Sequence, residues 1–389
     1  MKIAYLTSYD VLSSSQWAEK KIGLYGAGYH LAKALESQSI SLEYIGPINY
    51  SSPSLTHKLK WHFNRKFFKK DYFYFLEPSV LEEYGKRISQ KIAQSNSDVV
   101  LCPENTIPLA YLECEQPIIL WTDAPLSASI NLYAWLNNLS DETTKHLHKM
   151  EKIALDKCKL IIFLSEWAAQ ITIETYGIDP AKVKVIPWGA NLESYRNDDD
   201  ISNIVEARTS DCCKLLFIGV DWFRKGGDIS FEISKKLNEI GIKTELTVVG
   251  CEPILNESSP NFVRSLGFIN KYTPKGLEQI NQLFSEAHFL ILPTRADFSP
   301  HVFCEANSFG LPCISTQVGG IPTLIADNLN GKTFSLNANI SQYCNYISAL
   351  MSNYSEYKKL AYSSFNEYQT RLNWTAIGKL GSQAIESIL

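Results

Sequence analysis

The sequence predicts an α/β protein made of two doubly wound lobes, each built on a parallel sheet, that face each other across a cleft. Strand-like segments alternate with helical patterns along the chain, as in βαβ units. Most of these segments are apolar throughout, which is typical of strands covered by helices on both faces. The 389 residues also exceed the about 250–300 residues at which a single core stops growing.

The order of the segments divides the chain near its midpoint. The first half contains KIAYLTS, SLEYIG, DVVLCP, PIILWTD, KLIIFLS and KVKVIPW, and the second half contains KLLFIGV, TELTVVG, HFLILPT, PCISTQ and GKTFSL. Between them lies a polar segment, NLESYRNDDDISNIVEARTSDC. We interpret residues 1–190 as the first lobe, 191–211 as a linker and 212–373 as the second lobe. Ligands of open α/β sheets bind beyond the carboxyl ends of the strands, so we expect the site in the cleft between the lobes.

The composition argues against several classes of protein. Apolar residues make up 45% and charged residues 20% of the chain, as in ordinary globular proteins, and the net charge of −4 gives no support to a nucleic-acid partner. No stretch approaches the ~18–20 apolar residues of a membrane span. The start, MKIAYLTSYD, is interpreted as a buried strand rather than a secretory leader. Nine cysteines without CxxC spacing and seven histidines without HExxH spacing predict reduced thiols in the cytoplasm and no metal site.

The stretch PTRADFSPHVFCEANSFGLP places two carboxylates on either side of a turn. Ser299 and Pro300 predict an N-cap and a first helical residue, with the helix running to about Gly310. Asp297 then precedes the helix and Glu305 lies near its second turn, on the order of 10 Å away. This separation is wider than the about 5 Å of a retaining glycosidase pair, and it suits a grip on two parts of one long ligand.

The start of the same helix is expected to attract anions, because the backbone N–H groups of His301, Val302 and Phe303 would have no partner within the helix. Two acids with an anion site between them would suit a nucleotide-diphosphate sugar. The alternative is that Asp297 is a loop acid and that Glu305 is a helix residue paired with a lysine or arginine.

Two further segments could approach a ligand. In LLFIGVDWFRKGGDIS, Arg224 and Lys225 follow a strand and precede a helix that begins near Asp228. Two cations in this position, at the carboxyl end of a strand, can bind a diphosphate together. The alternative is a pair of solvated loop charges. In LYGAGYHLAKAL, Gly26 and Gly28 are expected at the start of a helix, where glycine lets the backbone approach a ligand, but this signal is weak without the six-residue dinucleotide-binding motif.

Acidic residues elsewhere allow two interpretations. Asp123 in WTDAP ends a strand and would point into the cleft, or it would cap a turn. The run Asp198–Asp200 resembles a metal-binding cluster, but its position predicts a solvated linker.

The segment HKLKWHFNRKFFKKDYFYF, residues 57–75, interleaves six lysines or arginines with aromatic residues. It is either a solvated surface face or a contact with an anionic membrane or lipid-phosphate acceptor, since basic residues beside tryptophan and phenylalanine suit that interface.

Several of these blocks together resemble the retaining glycosyltransferases of family 4, which have the two-lobed GT-B fold with Rossmann-like domains. The similarity covers nearly the whole chain. The blocks that carry it are FIGVDWFRKGG, PTRADFSPHVFCEANSFGLPCISTQVGGIP, SEWAA with YGIDPAKVKVIPWGAN, and WTDAP.

The resemblance implies a role for each matching position. Lys225 with Arg224 would bind the donor diphosphate, and Glu305 would hold the ribose hydroxyls. The backbone of His301 and Val302 would bind phosphate, and Ile269 would contact the base. Asp297, in the place of the first Glu of E-x7-E, would contact the sugar. Asp123 would act in catalysis, and Gly26 would lie on the donor side. The helix at 374–389 would pack back on the first lobe.

Three positions depart from the family pattern. Asp297 is one methylene shorter than glutamate, and Val220 replaces a common arginine. Pro300 replaces a glycine and cannot donate an N–H. These departures bear on donor identity and rate.

The resemblance implies retaining sugar transfer to a glycan, lipid-linked or protein-linked acceptor, with the nucleotide sugar as co-substrate, no cofactor and no metal. The protein would be cytoplasmic, with residues 57–75 against an anionic membrane. The alternatives are an epimerase or phosphorylase of the same fold, or a catalytically weakened nucleotide-sugar-binding partner of another enzyme.

Overall fold

The computed structural model describes residues 1–13, 17, 22–130, 132–133, 136–192, 195–255 and 258–389. The chain forms two compact units. The first comprises Met1–Trp17, Leu24–Ile186 and Ile377–Leu389, and the second comprises Ala18–Gly23 and Pro187–Ala376.

The first unit is built on a parallel sheet. Its strands are β1 (Lys2–Tyr5), β2 (Ser41–Tyr44), β3 (Val99–Cys102), β4 (Ile118–Thr122), β5 (Cys158–Phe163) and β6 (Val183–Val185), in the order β2-β1-β3-β4-β5-β6. The helices are α1 (Ile22–Glu36), α2 (Leu55–Phe63), α3 (Pro78–Gln94), α4 (Asp141–Lys157) and α5 (Glu166–Tyr176). A π-helical turn, Asn64–Phe68, follows α2 directly.

The second unit repeats this plan. Its strands are β7 (Cys213–Ile218), β8 (Thr244–Val249), β9 (Val263–Ser265), β10 (Phe289–Leu292), β11 (Cys313–Thr316) and β12 (Gly331–Phe334), in the order β12-β11-β10-β7-β8-β9. The helices are α6 (Asp198–Ala207), α7 (Gly227–Glu239), α8 (Pro274–Glu286), α9 (His301–Asn307), α10 (Ile321–Leu324), α11 (Ile340–Ser352) and α12 (Tyr354–Arg371). A last helix, α13 (Trp374–Glu386), begins in this unit and lies mostly in the first.

The predicted α/β class with two parallel sheets is confirmed, and each segment predicted as a strand contains one. The central strands β3, β4 and β10 are buried along their whole length, which matches their unbroken apolar sequences. Sequence reasoning missed β9, a three-residue strand with two exposed residues, Arg264 and Ser265. So short and polar a segment gives no periodic signal.

Residues 191–211, predicted as a linker, contain helix α6. Asn197 and Asp200 cap its start reciprocally, and the acidic residues of its first turn suit the helix dipole. Ile201 and Val205 on this helix are buried in the hydrophobic core of the second unit. Arg208, just beyond α6, is also buried.

The last helix, α13, contributes its residues from Ile377 onward to the first unit. A Cβ added at Gly378 would lie 2.6 Å from the carbonyl oxygen of Ala34, and one added at Gly381 would lie 2.6 Å from the ring of Trp121. The two glycines therefore let α13 approach α1 and β4 closely. In the described part of the chain, none of the helices combines the length and the apolar character that crossing a bilayer requires.

Candidate active site

Lys225 and Asp297 form an ion pair at the carboxyl edge of the second sheet. Lys225 follows β7 and Asp297 follows β10, and these two strands are neighbours in the sheet. The ammonium of Lys225 donates to Oδ2 of Asp297, and the two side chains are only 13% and 10% exposed. Arg224 Nη1 lies 3.8 Å from the same oxygen. Burial lowers the pKa of Lys225 below its ordinary value, Asp297 opposes this shift, and Arg224 adds to it.

Backbone contacts bind the two loops together. The N–H of Arg295 donates to the carbonyl of Arg224 over 2.8 Å, and the hydroxyl of Thr294 donates to the same carbonyl over 2.9 Å. Gly226 caps α7 with a φ of +77°, and a Cβ there would collide with the carbonyl oxygen of Pro293. Glycine is thus required both by the left-handed backbone and by the close approach.

A second glycine holds the Asp297 loop from its other side. Gly319, in the turn after β11, has a φ of +52°, and a Cβ at this position would collide with the carbonyl oxygen of Asp297. The backbone that presents this carboxylate is therefore fixed by two neighbouring turns.

Glu305 pairs with Lys271, a residue that the sequence interpretation did not select. Glu305 lies on α9 with 6% of its side chain exposed, and its Oε1 accepts a hydrogen bond from the ammonium of Lys271. Lys271 stands in the loop between β9 and α8, in the block GFINK. The alternative from the sequence, a helix acid paired with a cation, therefore describes the observed contact of Glu305.

His301 lies one helical turn before Glu305 on α9. Its Nδ1 is 3.3 Å from the carbonyl oxygen of Gly189, and its ring stacks on Trp188 with a centroid distance of 5.5 Å. Burial lowers the pKa of His301 to about 4, and the charges of Lys271 and Lys225 act in the same direction. The imidazole is therefore neutral at pH 7. Because a carbonyl oxygen only accepts, Nδ1 carries the proton and donates to Gly189.

The start of α9 differs from the sequence prediction. Pro300, with a φ of −65° and a ψ of 115°, is the N-cap, and the helix runs from His301 to Asn307 rather than to Gly310. The hydroxyl of Ser299, predicted as the cap, has no partner among the described residues. The N–H of Phe303, predicted to be free, donates to the carbonyl of Pro300 over 3.3 Å. The extended ψ of Pro300 moves the cap by one residue.

The two other donor-side residues predicted in this unit have partly buried side chains. Val302 on α9 and Ile269 before Lys271 both pack against the hydrophobic core of the second unit. The structure thus brings Arg224, Lys225 and Asp297 into one cluster and Glu305 and Lys271 into another, with His301 within electrostatic reach of both lysines.

Asp123 and Gly26 belong to the first unit. Asp123 directly follows β4, and its Oδ1 accepts the N–H of Ala124 over 2.8 Å. At the same edge of the sheet, the buried carboxylate of Glu104 accepts the N–H and hydroxyl of Ser8 over 2.5 and 2.8 Å. Sequence reasoning also missed Glu104, which stands alone between turn residues.

Gly26, predicted at the start of a helix, lies inside α1, whose first residue is Ile22. The helix also explains its neighbour Gly28, whose carbonyl accepts the hydroxyl of Tyr5 over 2.6 Å. A Cβ at Gly28 would collide with the hydroxyl of Tyr9. Packing against tyrosines therefore accounts for the glycine at position 28.

One group of side chains in the first unit has the composition of a metal site. Potential ligand atoms of Glu77, Glu142 and His146 lie within 4.8 Å of one another. The ammonium of Lys60 lies 2.5 Å from Glu77 and 2.8 Å from Glu142. Because a lysine already supplies the positive charge between these carboxylates, we do not assign a metal ion to them.

Residues 57–68 of the basic aromatic segment (residues 57–75) lie in α2 and the π-helical turn that follows it, and neither of these two elements contains a buried residue. Large apolar side chains are exposed along these two elements. They are Leu55 (74%), Leu59 (61%), Trp61 (41%), Phe63 (53%), Phe67 (65%) and Phe68 (61%). Lys60 pairs with two acids and Arg65 with Asp71 at 3.1 Å. Within the described residues, Lys58, Lys66, Lys69 and Lys70 have no acidic partner within 4.0 Å.

Two family descriptions match the chain, one in each half. Residues 29–194 match Glycosyltransferase Family 4, and residues 212–353 match Glycosyl transferases group 1. The second match contains Arg224, Lys225, Lys271, Asp297 and Glu305. The first contains Asp123.

Curated relatives are similar over about half of the chain. A UDP-Gal:alpha-D-GlcNAc-diphosphoundecaprenol alpha-1,3-galactosyltransferase of Escherichia coli is 24% identical over 211 residues, which cover 52% of this chain and 54% of the relative. A D-inositol 3-phosphate glycosyltransferase of Actinosynnema mirum is 28% identical over 197 residues, or 46% of each chain. The chain thus spans about half the length of these relatives.

Solved structures are similar over the full length. Sucrose-phosphate synthase from Thermosynechococcus elongatus has a TM-score of 0.67 and 15% identity, with 100% of this chain and 98% of that chain covered. Anabaena HepE in complex with UDP-glucose has a TM-score of 0.61 and 14% identity, with 100% of both chains covered. At this identity the likeness shows the fold alone. The chain therefore contains a Glycosyltransferase Family 4 domain followed by a Glycosyl transferases group 1 domain, on two α/β units of the GT-B fold.

Proposed function

We propose that the protein is a glycosyltransferase that moves a sugar from a nucleoside diphosphate sugar to an acceptor hydroxyl, with retention of anomeric configuration and without a metal ion. The observation that carries this proposal is the cluster of Arg224, Lys225 and Asp297 at the carboxyl edge of the second sheet. Two cations beside a carboxylate, where α/β sheets bind their ligands, suit a diphosphate joined to a sugar.

The reaction breaks the bond between the anomeric carbon and the diphosphate oxygen and forms a bond from that carbon to the acceptor oxygen, which loses its proton. Negative charge develops on the leaving diphosphate. Arg224 and Lys225 stabilise this charge, and the backbone N–H groups of His301 and Val302 add donors to the same phosphates. The low exposure of Lys225 strengthens its effect, since few waters screen it.

The two acids bind different ends of the donor. Glu305 accepts hydrogen bonds from the ribose hydroxyls, Ile269 contacts the base, and Asp297 contacts the transferred sugar. In the first unit, Asp123 is the group proposed to contact the reacting sugar or the acceptor. Gly26, on α1 of the first unit, is proposed to approach the donor through its backbone.

A uridine diphosphate sugar is the first donor to examine, because the E. coli relative has UDP-Gal in its name and Anabaena HepE is bound to UDP-glucose. We propose a lipid-linked glycan as the acceptor and an anionic membrane surface in the cytoplasm as the place of action. The exposed apolar and basic side chains of α2 and its π-helical turn support this choice, because amphipathic basic helices bind such surfaces.

The test combines binding and turnover. A thermal-shift screen with UDP-, GDP- and ADP-sugars identifies the donor. Mass spectrometry then follows transfer of the sugar to a polyprenyl-diphosphate sugar in the presence of EDTA. NMR assigns the anomeric configuration of the new bond. We expect Lys225→Met to lower kcat/KM by about 100-fold or more. The matched control is Lys236→Met, which changes an exposed lysine paired with Glu239 on the following helix.

Each component of the proposal has an outcome that overturns it. Inversion of the anomeric bond contradicts retention, and loss of turnover in EDTA that added metal restores contradicts metal independence. A donor that binds without any transfer indicates a nucleotide-sugar-binding partner of another enzyme. No binding of any nucleotide sugar contradicts the proposal as a whole.

A further inference from the structure

We infer that Lys271 is a donor-contact residue that occupies the Glu305 carboxylate when the nucleotide is absent and moves to the diphosphate when it binds. This inference rests on the proposed function. It adds to the proposed donor contacts a third cation, which lies outside the Arg224–Lys225 pair. It starts from the direct contact between the Lys271 ammonium and Oε1 of Glu305.

The pair stands where the ribose would have to bind. Glu305 can accept hydrogen bonds from a ribose diol only through its carboxylate oxygens, and Lys271 holds one of them. The two side chains are 15% and 6% exposed, so there is little room for the diol to enter beside the lysine. Nucleotide binding at Glu305 therefore requires Lys271 to leave, and a buried ammonium that leaves a carboxylate needs another anion.

The diphosphate is the anion within reach. Asp297 and Glu305, the partners of Lys225 and Lys271, lie on either side of the start of α9, and His301 stands between them in the chain. The two carboxylates are on the order of 10 Å apart by helical rise, so a diphosphate bound at Lys225 extends toward the ammonium of Lys271. The exchange keeps every charge paired: the ribose hydroxyls replace the lysine at Glu305, and the phosphate oxygens replace Glu305 at the lysine.

The loop around Lys271 does not need this ion pair to keep its shape. Asn270 holds it, because its Oδ1 accepts the N–H of Tyr272 over 3.0 Å and its carbonyl accepts the N–H of Thr273 over 3.2 Å. Gly276, in the first turn of α8, leaves space for the same carbonyl, with which a Cβ would collide. A buried ion pair adds little to stability on average, so a purely structural role for Lys271 is the weaker explanation.

Isothermal titration calorimetry with uridine and with UDP separates the two roles. In Lys271→Met, we expect UDP affinity to fall on the order of 10- to 100-fold, as for loss of one charge-assisted hydrogen bond, while uridine affinity stays equal or rises. Lys271→Arg keeps the charge and should retain most of the UDP affinity. The control is Lys275→Met, an exposed lysine four residues further along the same segment.

Three outcomes decide the inference. Equal losses for uridine and UDP in Lys271→Met overturn it, because the lysine would then only support the pocket. Unchanged UDP affinity overturns it as well. In both cases UDP still binds the wild-type protein, so the proposed function stands. If the wild-type protein binds none of UDP, GDP and ADP, the proposed function fails and this inference fails with it.

Discussion

Arg295 and Asp228 face each other through two hydrogen bonds, from Nη1 to Oδ1 over 2.8 Å and from Nη2 to Oδ2 over 2.7 Å. The same guanidinium donates to the carbonyl of Phe223 over 2.5 Å. Arg295 precedes Asp297 by two residues, and Phe223 precedes Lys225 by two. One side chain therefore fixes both loops that carry the proposed diphosphate and sugar contacts.

Arg295→Lys keeps the charge but loses the two-pronged geometry, since an ammonium cannot make two parallel hydrogen bonds to one carboxylate. We expect kcat/KM to fall about 10-fold, because a misplaced contact group raises the barrier. The free energy of unfolding should change by less than about 1 kcal/mol, as for exposed ion pairs. Kinetics and urea denaturation measure the two effects, with Arg264→Lys on the exposed strand β9 as control. Full activity in Arg295→Lys would contradict this prediction, because it would show that the backbone contacts position the two loops without the Arg295 side chain.

The division of labour between the acids predicts different binding losses. Glu305→Gln keeps the size of the side chain but removes charge-assisted acceptance from the ribose, so affinity for free UDP should fall along with turnover. Asp297→Asn should leave free UDP binding nearly unchanged and weaken binding of the intact UDP-sugar. Calorimetry with UDP and with the nucleotide sugar measures both. An equal loss of UDP affinity in the two variants would mean that the acids act as one cluster.

The basic aromatic segment, residues 57–75, predicts binding to anionic membranes. Replacing Lys66, Lys69 and Lys70 by Glu should abolish sedimentation with vesicles that contain phosphatidylglycerol, at about 1 kcal/mol per lysine, while UDP binding stays intact. Phe67→Ser with Phe68→Ser should weaken vesicle binding without changing the charge.

The control for this experiment replaces Lys86, Lys91 and Lys159 by Glu, three exposed lysines elsewhere in the first unit. If the control and the test variant lose vesicle binding to the same extent, only overall charge matters. If the wild-type protein does not bind the vesicles at all, a water-soluble acceptor replaces the lipid-linked one.

Two histidines predict a loss of stability in mild acid. His288 is 1% exposed, and burial together with Arg208 lowers its pKa to about 4, as burial and the two lysines do for His301. An unfolded histidine titrates near pH 6.5, so between about pH 6.5 and 4 the unfolded chain binds more protons than the folded one. The free energy of unfolding should therefore fall as the pH is lowered, by up to about 1.4 kcal/mol per pH unit for each histidine.

Urea denaturation between pH 7 and pH 5 measures this slope. His288→Gln should reduce it, whereas His62→Gln, at an exposed position on α2, should leave it unchanged. An equal slope in the wild-type protein and in His288→Gln would show that His288 is protonated with little cost in the folded state.

The sheets could be predicted from sequence because parallel strands are apolar on both faces, so local composition identifies them. The pairings in the site could not. Lys271 stands in the quoted block GFINK and Arg295 in PTRAD, yet their partners lie 34 and 67 residues away. Lys225 could be selected because it follows a predicted strand and precedes a helix, whereas Lys271 follows β9, which gives no strand signal in the sequence.

Arg208 lies in the segment predicted as a linker and is nevertheless buried. Its guanidinium donates to the carbonyls of Phe284, Ser285, Phe309 and Gly310, near the ends of α8 and α9. A polar residue in a polar segment indicates solvent exposure, but here it satisfies carbonyl groups that the helices leave unpaired. Only the three-dimensional arrangement shows that these carbonyls converge.

Gly226 and Gly319 limit which positions can be altered in attempts to redirect the proposed glycosyltransferase toward another sugar. Any larger residue at either position would push the backbone of the Pro293–Asp297 loop away, because both turns touch carbonyl oxygens of that loop and both have a positive φ. Libraries that randomise this neighbourhood should therefore keep the two glycines and vary Ser299 and Val220. Side chains next to the Pro293–Asp297 loop can therefore be varied, whereas the two glycines that hold the backbone of this loop cannot.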